Sequence, residues 1–189
     1  MAREEAGAER PAGPVRIEAA GPESLPDVLA LFEDAVGWLG RNGYDQWQYG
    51  WPDGLVAVIE TGLAAGTTWL VRGGERVLAT LSLDEHDERG LWPPEGSARY
   101  VYRLIVARAA AGCGLGSALL DWAGQRASAE GARWLRLDAW AGNADLHAYY
   151  LREGFQHVRT IESPAAKRGA LFQRRAGERR NTRLVLTER

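Results

Sequence analysis

Residues Tyr100 to Ala127 read YVYRLIVARAAAGCGLGSALLDWAGQRA, a β-branched and aromatic run, a glycine-rich turn, and then apolar residues at helical spacing. A strand that feeds a helix through such a turn bares several backbone N–H groups at the positive end of the helix, which is a seat for phosphate. A phosphorylated cofactor is therefore expected. On spacing alone, Gly112-Cys113-Gly114-Leu115-Gly116 fits a tight connection with no ligand as well as a phosphate site. A dinucleotide fold is a further reading, because Asp138 ends the next strand roughly 20 residues on, where a ribose-binding acid would sit. Two details oppose it: Ser117 stands where the third glycine belongs, and five residues separate Val106 from Gly112, whereas that fingerprint turns sharply off its strand.

Working outward, residues 1–14 mix Ala, Glu, Gly and Pro without periodicity and read as a disordered leader, leaving 15–189 as a single domain. Val15, Ile17 and Ala19 alternate as a first strand. Ser24-Leu-Pro-Asp27 has the form of a helix start, with Ser24 as cap, and Leu25, Val28, Leu29, Phe32, Val36 and Leu39 follow at helical spacing. An aromatic loop, 44–52, precedes a short helix over about 55–65. Strands over 67–71 and 77–83 form a hairpin around Gly73-Gly74, and a long polar connection, 84–97, follows. The strand 99–106, the helix 114–129, the strand 134–139, a helix over 143–153 closed by Gly154, and strands over 155–160 and 182–187 complete the chain. This order implies an α/β fold with a mixed sheet flanked by helices.

A formal charge of -2 and a pI near 6.0 give no global electrostatic reason to bind nucleic acid or an anionic membrane. The arginines at 174, 175, 179 and 180 read as a wet loop. The single cysteine, Cys113, excludes an internal disulfide framework. No apolar run approaches a membrane span and the first residues lack a signal-peptide core, so a cytoplasmic protein is expected. No metal is called for.

The stretch Asn143-Ala-Asp-Leu-His-Ala-Tyr-Tyr150-Leu-Arg-Glu-Gly154-Phe155 narrows the choice. It resembles the second signature of the GNAT superfamily of acyl-CoA N-acyltransferases, an Asn followed by Tyr seven residues later and by Gly-Phe after four more. Ala111-Gly-Cys-Gly-Leu-Gly116 is similar to the family's Gln/Arg-x-x-Gly-x-Gly/Ala turn, with Ala111 in place of the usual Gln or Arg and Arg108 near enough to compensate. The resemblance implies a GNAT-like, mostly antiparallel central sheet flanked by helices and splayed at the cofactor-binding strand. It also implies direct transfer of an acetyl group from acetyl-CoA to a primary amine of a small molecule. A dinucleotide-dependent oxidoreductase and a non-catalytic acyl-CoA-binding regulatory module are the rival readings. Monomer and homodimer are both open.

On that resemblance the backbone of Ala111, Gly112, Cys113, Gly114, Leu115, Gly116 and Ser117 would hold the pyrophosphate, and Leu104, Ile105 and Val106 would pair with the pantetheine. The N–H of Leu104 would stabilise the oxyanion. Tyr150 would protonate the departing thiolate, with Tyr149, about 100° away around the helix, the weaker candidate. Asn143 would cap its helix and reach the cofactor. Glu85 is the candidate base, with a water relay as its rival. Trp47, Tyr49, Trp51, Trp92, Tyr100 and Tyr102 either line the acceptor side or form a second core beneath long loops.

Overall fold

The computed structural model describes residues 14–44, 46, 54–93, 96–161, 169–182 and 184–189. The first strand, β1 (Val15–Ala19), leads into α1 (Leu25–Arg41) and α2 (Leu55–Ala64). The hairpin β2 (Thr68–Gly73) and β3 (Arg76–Asp84) follows, and then β4 (Ala98–Val106). Beyond it come α3 (Leu115–Ala129), β5 (Trp134–Ala139), α4 (Ala144–Arg152), β6 (Gln156–Ile161), β7 (Gly169–Arg175) and β8 (Thr187–Glu188). The eight strands of the described residues join one sheet in the order β6-β7-β5-β4-β3-β2-β1-β8. Only β4 with β5 and β1 with β8 run parallel, so the sheet is mixed and mostly antiparallel.

Each face has its own core. On one, α3 lays Leu115, Leu119, Leu120 and Ala123 against Leu81, Val101, Leu135 and Leu137. On the other, Val28, Leu31 and Phe32 of α1 and Ile59 and Leu63 of α2 close over Leu70. Leu119 and Leu120 are fully buried, and truncating either to Ala is worth about 2–5 kcal/mol on the usual scale for such cavities.

Two features of β4 set up everything downstream. First, its pairing with β5 ends at Val101↔Leu137, although β4 runs on to Val106 and β5 to Ala139. β5 keeps its register with β7 as far as Ala139↔Ala170, so it leaves β4 while holding its other neighbour. The strands part there. Second, the register with β3 slips between Thr80 and Ser82, and Arg103 has φ 52, the one positive φ outside glycine among the described residues. One inserted residue bends the strand and reverses the alternation. Val101 and Leu104, three apart, therefore pack on the same face, whereas Tyr100 and Tyr102 belong to the other. The strained Arg103 is held by the Glu88 carboxylate at 2.6 and 2.8 Å and by Ser82 Oγ at 3.2 Å.

Three expectations need correction. Ser24 does not cap α1: a 3₁₀ turn over Pro22–Ser24 already places its backbone in right-handed geometry, and its side chain makes no cap bond. The stretch between the strands expected over 155–160 and 182–187 contains a further strand, β7, and the terminal strand is confined to Thr187–Glu188. The arginine cluster also divides. Arg175, Arg179 and Arg180 are exposed, but Arg174 is buried on β7 and bonds Asp121 of α3 at 3.1 Å and the carbonyl of Glu153 at 2.9 Å. Burial pulls its guanidinium pKa below the ordinary value, with the Asp121 charge acting against that.

Candidate active site

The glycine turn forms as its sequence requires. Gly112 and Gly114 have φ of 79 and 82, in the left-handed region that a β-carbon disfavours. Gly114 stands at the N-cap of α3, and the first intrahelical bond runs from Ala118 N–H to Gly114 C=O at 3.0 Å. The amides of Leu115, Gly116 and Ser117 are thus left without an intrahelical acceptor at the positive end of the helix. Asn181 locks the turn from behind, donating its Nδ2 to the same Gly114 carbonyl at 2.8 Å, and its own backbone N–H bonds Asp121 at 2.8 Å. The buried Asp121–Arg174 pair therefore supports the turn through the C-terminal segment. No local pattern in the sequence announces this support.

Gly116 is small for another reason. A β-carbon there would lie 2.7 Å from the hydroxyl of Tyr149 and 3.8 Å from Val106. Tyr149 accordingly sits between the end of β4 and the turn, closer to the expected cofactor path than its helical bearing suggested. Ser117 gives its hydroxyl to Glu153 at 2.6 Å. Arg108, expected to offset Ala111, lies with its guanidinium 4.1 Å above the Trp38 ring.

Leu104, Ile105 and Val106 lie beyond the last rung with β5, and Leu104 falls outside both registers of β4. Across the parting, α4 brings Tyr150. The spacing places it on the inward face, and its ring packs on Phe155 and Phe172 with centroids 5.8 and 5.7 Å away. Burial pushes the phenol well above its ordinary pKa, and the Asp138 charge adds to the push. Its proton is retained throughout the neutral range. Asn143 accepts the N–H of Leu146 at 3.0 Å, the capping bond that its position implied. His147 is fixed by Trp140 C=O at 2.9 Å.

Glu85 is not brought to this place. Asp84 pairs with Tyr100, so Glu85 lies at the far end of β4, roughly 13 Å of strand from Leu104 at the usual rise per residue. It is exposed there, 3.7 Å from Arg99 and 3.4 Å from His86. Tyr100 and Tyr102 are buried in a satellite cluster with Trp92 and Trp134 beneath the β3–β4 connection. The Tyr102 hydroxyl donates to Asp87 at 3.1 Å and accepts from Glu88 N–H at 3.0 Å. Packing beneath a long loop thus accounts for these rings. Trp47, Tyr49 and Trp51 lie outside the described residues.

At this place a strand parts from its parallel neighbour and runs into a glycine turn that opens a helix. The Acetyltransferase (GNAT) family pattern matches residues 33–155, and the chain belongs to that family. The uncharacterized N-acetyltransferase YesJ of Bacillus subtilis (strain 168) is 27% identical over 141 residues, 72% of this chain and 78% of that protein. A GNAT acetyltransferase from Listeria monocytogenes 4b F2365 superposes with a TM-score of 0.72 at 22% identity, over 88% of this chain and 98% of that one. The PaiA N-acetyltransferase of Thermoplasma acidophilum, solved in complex with coenzyme A, gives 0.69 at 13% identity over 86% and 99%. The protein is a GNAT-type N-acetyltransferase, and the oxidoreductase and purely regulatory readings are set aside. The strand-turn-helix segment that suggested a dinucleotide fold is real, but it sits in a mostly antiparallel sheet.

Proposed function

We propose that the enzyme moves an acetyl group directly from acetyl-CoA to a primary amine of a small molecule. The observation that carries this reading is the parting of β4 from β5 between the glycine turn and Tyr150. A pantetheine arm can add there to the free edge of Leu104–Val106 as a peptide adds to a sheet, while its pyrophosphate rests on the amides of 112–117. These residues fit the cofactor by geometry: left-handed glycines at 112 and 114, no β-carbon at 116, and uncapped helix amides.

When bound, acetyl-CoA supplies the thioester carbonyl that the amine attacks. Leu104, beside the bulge at Arg103, offers its N–H to the oxygen on which charge develops. Tyr150, protonated at neutral pH, gives its proton to the leaving sulfur. The acceptor amine approaches from the other side of the parted strands.

Gly114→Val tests the phosphate seat. A β-branched residue at φ 82 costs about 1–2 kcal/mol in backbone strain and crowds the amides that would meet the phosphates. Calorimetry should show acetyl-CoA binding to wild type and a marked loss in the variant. Unchanged affinity in a folded variant would place the phosphates elsewhere.

A further inference from the structure

Asp138 has no task in the scheme above, yet its position is distinctive. It is the first residue of β5 beyond the last rung shared with β4, Val101↔Leu137, so it stands where the strands separate. Its side chain is 10% exposed. Oδ2 accepts from Nη1 of Arg89, carried by the β3–β4 connection, and Oδ1 has no hydrogen-bond partner among the described residues. A carboxylate oxygen left open in this way can accept a donor that arrives from outside the fold. On β7 the register partner of Asp138 is Leu171, and a β-carbon at Gly169, two residues before it, would come 3.5 Å from Oδ2.

Tyr150, packed from α4 on Phe155 and Phe172, has its phenol pKa pushed up first by burial and then by the Asp138 charge. Asp87 and Glu88, on the connection that carries Arg89, act on the carboxylate by their charge. Burial, and then these two charges, push Asp138 upward, and Arg89 pulls it down, with a net rise. A carboxylate raised in this way is a better proton acceptor than an exposed one.

We infer that Asp138 is the acceptor-side base, its Oδ1 receiving the ammonium of a primary amine where β4 and β5 part and taking one proton from it. Arg89 is a positioning residue that orients the carboxylate and sets the charge against which it works. The inference rests on the amine-acetylation reading above. One ammonium N–H bond breaks and its proton passes to Oδ1, and the freed lone pair forms the N–C bond to the thioester carbonyl. As the adduct collapses, the C–S electron pair leaves on sulfur. Tyr150 gives sulfur its proton and recovers one from the nitrogen, and Asp138 returns its proton to water. The products are one amide, one thiol and one solvent proton.

The test follows amine-dependent release of CoA thiol at saturating acetyl-CoA across pH, using 2-phenylethylamine, putrescine, glycinamide and lysine as probes. Variants are then assayed with the probe that wild type uses fastest. Asp138→Asn should keep acetyl-CoA affinity by calorimetry and lose about 100-fold in kcat/KM for the amine, the scale of general-base catalysis. Arg89→Gln should move the acidic limb of kcat/KM to higher pH, because removing the cation makes the carboxylate easier to protonate. That second readout remains decisive if Asp138→Asn does not fold, and a merely structural ion pair would not move the limb. Near-wild-type turnover in Asp138→Asn, or an unmoved limb in Arg89→Gln, would overturn the assignment and leave acetyl transfer standing. Acetyl-CoA binding with no thiol release for any probe would remove the amine reading and this inference with it.

Discussion

Asp121→Ala is expected to destabilise the fold by about 3–5 kcal/mol, the cost of leaving a buried charge without its partner. Arg174 has a side chain with no exposure, and Asp121 is its only carboxylate partner among the described residues. Its Nε already lacks a hydrogen bond, so little is available to compensate. The loss should lower the melting temperature by roughly 10 °C for a domain of this size. Asp121 also accepts the N–H groups of Arg180 and Asn181, both at 2.8 Å, and Asn181 in turn holds the Gly114 carbonyl. Acetyl-CoA affinity should therefore fall even at temperatures where the variant is folded. Replacing Asp121 and Arg174 together by Leu and Met should recover part of the stability, since no charge is then stranded, but not the affinity. A single variant that melts within a degree or two of wild type would show the pair to be solvated.

Tyr150→Phe should lower turnover by about 100-fold or more, the usual scale for removing a general acid, with acetyl-CoA affinity little changed. The ring contacts with Phe155 and Phe172 survive the substitution, and the hydroxyl has no hydrogen-bond partner among the described residues, so stability should barely move. Tyr149→Phe is the internal control. Its hydroxyl lies against Gly116, so its effect should be small and should fall on acetyl-CoA affinity rather than on turnover. Steady-state kinetics at saturating acetyl-CoA separates the two. Near-wild-type turnover in Tyr150→Phe would mean that the thiolate leaves without this acid.

Local pattern was enough for the elements whose burial is one-sided. The spacing of Val28 and Phe32 in α1 is helical because one face packs, with Leu31 joining that face, and the glycines at 112 and 114 mark backbone that must go left-handed. β7 was hidden for the opposite reason. Gly169, Ala170, Leu171 and Phe172 are buried on both faces and so do not alternate, and the arginines that follow look solvated until Asp121, 53 residues earlier in the chain, is placed beside Arg174. The bulge at Arg103 is equally silent, since Glu88 and Ser82 hold it from another strand and a loop. At the site, Tyr150 is singled out by the resemblance of 143–155 to the family signature rather than by helical spacing, and Glu85 could not be judged, because strand register decides how far a residue lies from the parting of β4 and β5. Asp138 was visible as a strand-terminal acid, but its meaning depended on which neighbour β5 leaves.

The most direct test of the account is mass spectrometry of the amine and of CoA after incubating the purified enzyme with acetyl-CoA and the primary-amine panel. Direct transfer predicts an N-acetylated amine formed in equal amount to free CoA thiol. CoA released without an acetylated amine, or no turnover of acetyl-CoA at all, would contradict it.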